Sequence, residues 1–349
     1  MKRNKKTKVL YFANIPIDNQ ERSIGGATVL ANSILEFILK DNRISVKHAQ
    51  IRFFWRNKLQ LIDYFFWLFR FPFSIWNKEV VSFHGTKDFH FTIAPILWLW
   101  SKLFGKKVIY HIFGGNFHEQ YQELSRIQKT IIQKTILKSD TIFFETIQMI
   151  DFFEGENIKG IEWLPNSRKP IIKELKPKKF HKKFVFISRV IPEKGIIEII
   201  KAANQLPKEY CIDIYGPIDD RHYKVDFFDN KKVTYKGLLN PNQVINTLSN
   251  YDVLMLPSYF EGEGYPGIVI ESLALGIPVI TTNWKALPEI ITTNVNGILI
   301  DIKNEKQLEK AILAFNEKNY PIFRLNAFKS FQQFSNTVVF NKIIDSYLK

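Results

Sequence analysis

Two carboxylates, Glu263 and Glu271, stand eight positions apart and are separated by the segment GYPGIVI. Pro266 suits the first position of a short helix, and Gly276 suits a left-handed helix end. Backbone N–H groups at such a helix start attract phosphate, while carboxylates accept hydrogen bonds from sugar hydroxyls. The segment is thus compatible with a site for a nucleotide sugar, although on spacing alone a surface loop whose acids favour the helix dipole is the favoured interpretation.

A pair of cations precedes these carboxylates by about seventy residues. Arg189 and Lys194 lie in FVFISRVIPEKG (184–195), directly after the short apolar run 184–187, which predicts a strand. In open α/β sheets the ligand crevice lies at the carboxyl ends of the strands. A guanidinium that can bind two oxygens and a compact ammonium together suit a diphosphate. Alone, such a pair is typical of solvated surface; together with the carboxylates it indicates a site.

On these residues the chain resembles retaining GT-B glycosyltransferases of the family 4 type. The resemblance is close over about 180–302 and weaker over the first 170 residues. It implies an α/β fold of the GT-B class, with two Rossmann-like, doubly wound domains facing each other across a cleft. The expected domains are an acceptor domain at 1–170, joined by a C-terminal helix at about 330–349, and a donor domain at 171–329. The Pro- and Lys-rich segment 165–183 is the expected hinge.

The same resemblance implies a role for each motif residue. Arg189 and Lys194 would stabilise the leaving diphosphate, Glu263 would contact the donor sugar, and Glu271 would contact the nucleotide ribose. Backbone amides of the intervening loop would hold phosphate or sugar oxygens, and its residues are Gly264, Tyr265, Pro266, Gly267 and Ile268. The implied reaction retains the anomeric configuration by front-face attack. Double displacement through Glu263 is disfavoured, because an acid anchored for hydroxyls is poorly placed for the anomeric carbon.

The first half of the chain has the rhythm of a doubly wound fold. Strands are predicted at 9–13, 80–83, 107–113, 141–144 and 161–164, and helices near 27–39 and 92–104. Gly25 and Gly26 follow the first strand, where glycine permits a close approach of backbone to ligand. In relatives such glycines face the donor phosphates and the acceptor, so both are predicted site residues.

His111 is the predicted histidine of the reacting centre. The resemblance implies a histidine near Phe113, at the end of strand 107–113, and His111 shares the strand face of Phe113 one step deeper. His84 and His118 are rival candidates. For each of the three, a structural histidine remains an equal alternative.

The amino-acid composition limits which classes of protein and of binding site are compatible with this sequence. The 349 residues predict two domains, and the hydrophobic content of 46% excludes disorder. The single cysteine, Cys211, excludes an internal disulfide framework and is expected to be a buried strand thiol. The sequence contains no Asp-Xaa-Asp triplet and no His/Cys cluster with metal-ligand spacing. No metal and no cofactor are therefore expected. A cytoplasmic location is expected, since no secretory cleavage pattern and no spanning apolar run occur.

Charge and aromatic residues favour a membrane partner. The net charge is +15, and residues 1–170 hold 25 basic and 15 acidic residues. The segment 52–76 contains eleven aromatic residues, and its basic residues and neighbours are Arg52, Arg56, Lys58, Arg70 and Lys78. Rings and cations together suit an anionic membrane surface, although core filling explains some of the rings. No nucleic-acid motif is present, so nucleic acid is not an expected partner.

The sequence thus predicts a bacterial glycosyltransferase of polysaccharide biosynthesis on the inner face of the plasma membrane. The expected donor is a UDP-hexose or UDP-N-acetylhexosamine, with GDP-mannose second. The expected acceptor is a growing, lipid-linked glycan of the cell envelope, which belongs to lipopolysaccharide, capsule or exopolysaccharide. Two alternatives stay open: a non-catalytic membrane-associated subunit of a polysaccharide assembly complex, and another sugar-nucleotide enzyme on the same fold, such as an epimerase or phosphorylase.

Overall fold

Contacts divide the chain into two units, each built on its own parallel sheet. The computed structural model describes residues 5–18, 20, 23, 25–55, 59–229 and 232–349. The first unit comprises Met1–Asn166 and Thr337–Lys349, and the second comprises Ser167–Asn336. The sequence had placed the two boundaries near 170 and 330. Arg56 and Lys58, named among the basic residues of the aromatic segment, lie outside the described residues.

Within its described residues the first unit contains six parallel strands in the order β2-β1-β3-β4-β5-β6. The strands are β1 (Thr7–Ala13), β2 (Ile44–Gln50), β3 (Val80–Gly85), β4 (Lys107–Ile112), β5 (Thr141–Phe144) and β6 (Ile161–Trp163). The helices are α1 (Gly26–Ile38), α2 (Gln60–Ile75), α3 (Lys87–His90), α4 (Ala94–Leu103), α5 (Phe117–Gln122), α6 (Arg126–Lys134) and α7 (Ile147–Gly155). The doubly wound prediction is confirmed, while β2 and α2 were not predicted.

Both faces of this sheet are covered by apolar residues, as parallel sheets require. On one face Phe12 packs with Trp67 and Phe71 of α2. The other face carries Tyr11 and packs against α13 (Asn336–Leu348), whose side chains Val339, Phe340, Ile343, Ile344 and Tyr347 are buried there. The last helix therefore belongs to the core of the first unit.

Within its described residues the second unit also contains six parallel strands, in the order β12-β11-β10-β7-β8-β9. The strands are β7 (Lys183–Ile187), β8 (Cys211–Tyr215), β9 (Thr234–Tyr235), β10 (Val253–Leu256), β11 (Val279–Thr282) and β12 (Gly297–Ile300). The helices are α8 (Ile196–Gln205), α9 (Val244–Ser249), α10 (Gly267–Ala274), α11 (Glu305–Leu313) and α12 (Tyr320–Ser330).

Two local predictions in this unit are wrong and one is confirmed. Pro266 is the residue before α10 instead of its first residue, because its backbone is extended with ψ of 128°. Cys211 is exposed, because it is the first residue of β8 and lies at the open end of that strand. Gly276 has the predicted left-handed conformation, with φ of +64°.

Candidate functional site

Strands β7 and β10 are hydrogen-bonded parallel neighbours, so their carboxyl ends lie at one edge of the second sheet. The chain that leaves β7 carries Arg189 and Lys194. The chain that leaves β10 carries Glu263 and leads into α10, which carries Glu271. The four motif residues therefore leave the sheet at the same edge, where open α/β sheets bind ligands.

Lys194 and Glu263 form a buried ion pair. The Lys194 Nζ lies 2.5 Å from the Glu263 Oε2, and the two side chains are only 8% and 7% exposed. The hydroxyl of Ser258 donates to the same carboxylate oxygen. Because burying an unpaired charge is costly, each of these ions holds the other in place. Glu263 is thus fixed by a cation and a hydroxyl.

A glycine sets the position of Lys194. Lys194 ends a 3-10 turn at Pro192–Lys194, and the next residue, Gly195, has φ of +79°. A Cβ atom built on Gly195 would lie 2.3 Å from the carbonyl oxygen of Pro257. Glycine is therefore required both by the left-handed backbone and by the close approach of the loop after β10.

Substitution of Gly195 by alanine should destabilise the protein, whereas the same change at Gly25 should not. We expect Gly195→Ala to lose at least about 2 kcal/mol, since left-handed strain adds to the clash with Pro257. Gly25 has φ of −158° and open space around its ideal Cβ position, so Gly25→Ala should stay within about 0.5 kcal/mol. Urea unfolding midpoints measure both, and equal midpoints would contradict the packing described for Gly195.

Arg189 lies over an aromatic ring at the edge of a cavity. Its guanidinium carbon is 5.2 Å from the centroid of the Phe260 ring, and the Lys194 Nζ is 5.0 Å from the same centroid. One ring thus brings both motif cations together. Arg189 also lines a cavity of about 380 Å³, whose other lining residues are Ile191, Pro217, Ile218, Asp219 and Asp220. Arg189 therefore shares the wall of this cavity with two acidic residues, Asp219 and Asp220.

Glu271 is held by an arginine that sequence reasoning did not single out. The Arg168 Nε lies 2.6 Å from the Glu271 Oε1, with side chains 25% and 19% exposed. The Arg168 guanidinium packs so closely on Gly267 that a Cβ there would lie 1.7 Å from one of its nitrogens. The glycine at the start of α10 therefore makes room for Arg168, which fixes the carboxylate one turn further along the helix.

Five residues at the start of α10 were predicted to bind the donor through backbone N–H groups, and only some of them can do so. Gly267 and Ile268 lie in the first turn, where N–H groups have no acceptor within the helix. Pro266 has no N–H, so it shapes the loop and cannot donate as predicted. Tyr265 is buried, and its hydroxyl donates to Glu289 at 2.6 Å, so its side chain anchors the loop. Gly264 is partly exposed beside Glu263.

Three residues of this site were missed. Ser258 and Phe260 belong to the loop after β10, and their contacts depend on how that loop folds over the turn at Lys194. Arg168 lies in the segment that composition marked as a hinge. A lone arginine directly after the strand prediction 161–164 was a signal for it, but basic residues in a Lys-rich segment are ordinarily solvated.

The first unit has a separate pocket of about 230 Å³ at the carboxyl ends of its own strands. Its lining includes Gly25 and Gly26, at the start of α1, and His84 at the end of β3. The remaining lining residues are Asn14, Ser23, Ala27, Thr28, Arg52, Trp55, Gly85, Thr86 and Phe113. The predicted glycines therefore border a cavity together with a histidine.

That histidine is His84, and His111 is not part of the lining. His111 is fully buried beside His84 in the sheet register, with the two Nδ1 atoms 3.2 Å apart. Burial, and to a smaller extent the charge of His90, lowers the pKa of His111 to about 3. Burial also lowers the pKa of His84 well below its usual value, so both rings are neutral at pH 7. His111 packs against Phe113, with ring centroids 4.3 Å apart, and its role at the reacting centre stays a prediction.

The third candidate, His118, is buried in α5 and packs on Phe152, with ring centroids 5.7 Å apart. It is not among the residues that line the pocket. Among the described residues, no group of three or more His, Cys, Asp or Glu side chains is arranged to hold a metal ion.

Comparison with known proteins agrees with this geometry. Residues 167–328 match the family described as "Glycosyl transferases group 1". A capsule-region protein of Klebsiella pneumoniae of 41.2 kDa is 25% identical over 159 residues, which cover 45% of this chain and 42% of that protein. The N,N'-diacetylbacillosaminyl-diphospho-undecaprenol alpha-1,3-N-acetylgalactosaminyltransferase of Campylobacter jejuni is 28% identical over 167 residues, covering 47% and 43%. The chain thus spans less than half the length of these curated relatives.

Similarity of fold extends over the whole chain. The crystal structure of HepE from Anabaena in complex with UDP superimposes with a TM-score of 0.73 at 13% identity, covering 97% of this chain and 99% of that one. The lipopolysaccharide outer core galactosyltransferase WaaB superimposes with a TM-score of 0.66 at 16% identity, covering 98% of this chain and 99% of that one. The chain therefore has the GT-B glycosyltransferase fold. Its second unit, Ser167–Asn336, is matched over residues 167–328 by the family model of glycosyl transferases group 1.

Proposed function

We propose that this protein is a retaining glycosyltransferase that moves a hexose or N-acetylhexosamine from a nucleotide sugar to a cell-envelope glycan. The observation that carries the proposal is the convergence of Arg189, Lys194, Glu263 and Glu271 at one edge of the second sheet. A UDP-sugar is the favoured donor and GDP-mannose the second choice. The ligands of a structural neighbour support the class of reaction: HepE was solved with UDP and with UDP-glucose.

In the proposed reaction the bond between the anomeric carbon and the diphosphate oxygen breaks, and negative charge grows on the diphosphate. Arg189 and Lys194 would stabilise that charge. The leaving oxygen would take the proton of the acceptor hydroxyl as that hydroxyl attacks from the same face. Glu263 would orient the donor sugar through its hydroxyls. A nucleophilic role is disfavoured for Glu263, since Lys194 and Ser258 already hold its Oε2.

The proposed acceptor is a lipid-linked glycan, and an anionic membrane surface is the proposed partner that presents it. The name of the Campylobacter relative states that it acts on a diphospho-undecaprenol substrate. The proposed location is therefore the inner face of the plasma membrane. No metal is expected to take part, so the dissociation constant for the nucleotide should be the same with and without a metal chelator.

Replacing Arg189 by alanine should weaken nucleotide binding. We expect the dissociation constant for UDP to rise about tenfold or more, because a charge-assisted hydrogen bond contributes about 1.5–3 kcal/mol. Calorimetry with UDP, GDP and ADP measures the constants and identifies the base. Arg43→Ala is the matched control, since Arg43 is an exposed arginine of the first unit that pairs with Asp41.

The outcomes separate the alternatives left open by the sequence. Binding of one nucleotide that is lost in Arg189→Ala and kept in Arg43→Ala supports the donor site. Absence of binding to every nucleotide sugar overturns it in favour of a non-catalytic subunit. Formation of an epimerised sugar nucleotide without acceptor, detected by NMR, overturns it in favour of an epimerase. The anomeric configuration of a transferred sugar, from the same spectra, tests retention.

A further inference from the structure

Helix α2 of the first unit carries large apolar side chains on its exposed side as well as on its buried side. One side is buried in the core through Tyr64, Trp67, Phe71 and Ile75. The opposite side and the residue after the helix are exposed, and they consist of Leu61, Ile62, Phe65, Phe66, Phe69, Phe73 and Trp76. A surface helix normally places polar residues opposite its buried stripe. The exposed side of α2 therefore has a function that outweighs the cost of apolar contact with water.

Neighbouring segments extend this surface. Helix α4, which packs beside α2, exposes Ile96, Leu99 and Leu103. The Trp76 and Phe104 rings bridge the two helices, with centroids 5.9 Å apart. At the other end Phe53 meets Phe66, with centroids 6.4 Å apart. We name the exposed side chains of 53–54, α2, Trp76 and α4 the α2–α4 face.

The size of the α2–α4 face is unusual for a monomer. Seven of its members are aromatic and are 40–83% exposed. At about 150–250 Å² per aromatic side chain, these seven alone expose on the order of 800 Å². Contiguous apolar patches above a few hundred Å² mark binding surfaces. The α2–α4 face is thus large enough to be a docking surface.

The charged residues near the α2–α4 face indicate which kind of partner it binds. Arg70 is the only exposed charged side chain among the described side chains of α2, and its guanidinium lies 5.1 Å from the centroid of the Phe66 ring. Lys106 borders the face and donates to the Trp76 carbonyl at 3.0 Å. The acid within α2, Asp63, is buried and accepts hydrogen bonds from the Phe53 and Phe54 amides. Cations therefore accompany the exposed rings, while this carboxylate is turned inward.

We propose that the α2–α4 face docks on the surface of an anionic lipid bilayer. Aromatic rings sit at headgroup depth, and arginine and lysine beside them meet anionic headgroups. A second copy of the chain is disfavoured as occupant, because it would bring the same cations and a net charge of +15 to the contact. No helix among the described residues is long and apolar enough to cross a membrane. The proposed membrane association is therefore peripheral.

The docked face would lie next to the pocket of the first unit. Arg52 and Trp55 line that pocket, and the two residues between them, Phe53 and Phe54, belong to the α2–α4 face. A headgroup that leaves the bilayer beside Phe53 would meet the pocket within the same segment. This step rests on the proposed function: it assigns to the pocket an acceptor that is carried on a membrane lipid.

Vesicle flotation of the full chain tests the docking. The vesicles are phosphatidylcholine alone and phosphatidylcholine with phosphatidylglycerol. We expect binding to the anionic vesicles, and at least a tenfold loss of partitioning in Phe69→Ser/Phe73→Ser. Two further double variants form a matched comparison. Leu61→Ser/Leu103→Ser changes residues inside the face that are 62% and 68% exposed. Leu238→Ser/Ile322→Ser changes residues outside the face that are 69% and 61% exposed. The first pair should weaken binding severalfold and the second should leave it within twofold.

Each outcome decides the matter. Loss confined to the α2–α4 variants supports the proposal. Failure of the unmodified chain to bind anionic vesicles, or an equal loss in the control pair, overturns it. A dimer in light scattering that dissociates in Phe69→Ser/Phe73→Ser, without vesicle binding, overturns it in favour of a second copy. Circular dichroism and urea unfolding of the same variants check that both units are folded, and calorimetry with UDP tests the donor site independently of the membrane.

Discussion

Lys194→Ala should abolish transfer and also destabilise the second unit. Removal of one electrostatic stabiliser of a transition state lowers kcat about 10²–10³-fold. Because Lys194 and Glu263 are both buried, removing the cation leaves an unpaired carboxylate, which costs about 3–5 kcal/mol. Steady-state kinetics with the nucleotide sugar identified by calorimetry measures the first effect, and the urea unfolding midpoint measures the second.

A double variant separates the two effects. Lys194→Met/Glu263→Gln removes both charges, so the unpaired ion disappears and most of the lost stability should return. Activity should not return, since neither the cation for the diphosphate nor the carboxylate for the sugar is restored. A double variant that recovers transfer would show that Lys194 acts only through the stability of the buried pair. A stable but inactive Lys194→Ala protein would contradict the cost assigned to the buried charge.

Glu271→Gln should weaken nucleotide binding through the ribose. We expect the dissociation constant for UDP to rise about tenfold to a hundredfold, because a hydrogen bond to a charged group contributes about 1.5–3 kcal/mol. The constant for 2′,3′-dideoxy-UDP should stay unchanged, since that analogue has no ribose hydroxyl for the carboxylate to accept from. Calorimetry with the two nucleotides measures the ratio. Glu305→Gln, a change at the exposed start of α11, is the control.

Arg168→Ala should reduce the preference for UDP over the dideoxy analogue, although Arg168 acts through Glu271 and does not itself contact the ligand. Arg168 holds the Glu271 carboxylate by a 2.6 Å contact, so its loss frees that side chain and removes its preorganisation for the ribose. We expect a smaller change than in Glu271→Gln, about tenfold for UDP and none for the dideoxy analogue. An equal loss for both nucleotides would instead mean that Arg168 contacts the phosphates. No change for either would show that Glu271 is held adequately without it.

The convergence of the four motif residues was predictable, because their positions follow from strand order and local pattern. The apolar run before Arg189 and the glycines around Glu263 each predict a strand or helix end, and in parallel sheets such ends meet at one edge. The same reasoning failed for Arg168, whose partner Glu271 is more than a hundred residues away in sequence. No periodicity joins residues at that separation. Composition assigned Arg168 to a hinge, and only the packed loop joins it to α10.

The histidines show a second limit. Strand parity correctly placed His111 on the same side of the sheet as Phe113, which directly follows β4. Phe113 belongs to the core cluster on that side, and the His111 ring packs against it. Depth along that face is a different quantity. It depends on how far each strand extends and on what packs at its end, and here His84 and Phe113 line the pocket while His111 does not.

The sequence by itself determined the class of fold, the doubly wound order of the first unit and the four motif residues of the second. Hydrophobic period, glycine and proline placement and charge are local, and each acts within a few residues of the chain. Tertiary structure alone decided that Lys194 neutralises Glu263 in a buried pair and that Arg168 holds Glu271. It also decided which aromatic side chains of 52–76 fill the core and which form the α2–α4 face. Burial and pairing depend on contacts between distant segments, and those exist only once the sheets are packed.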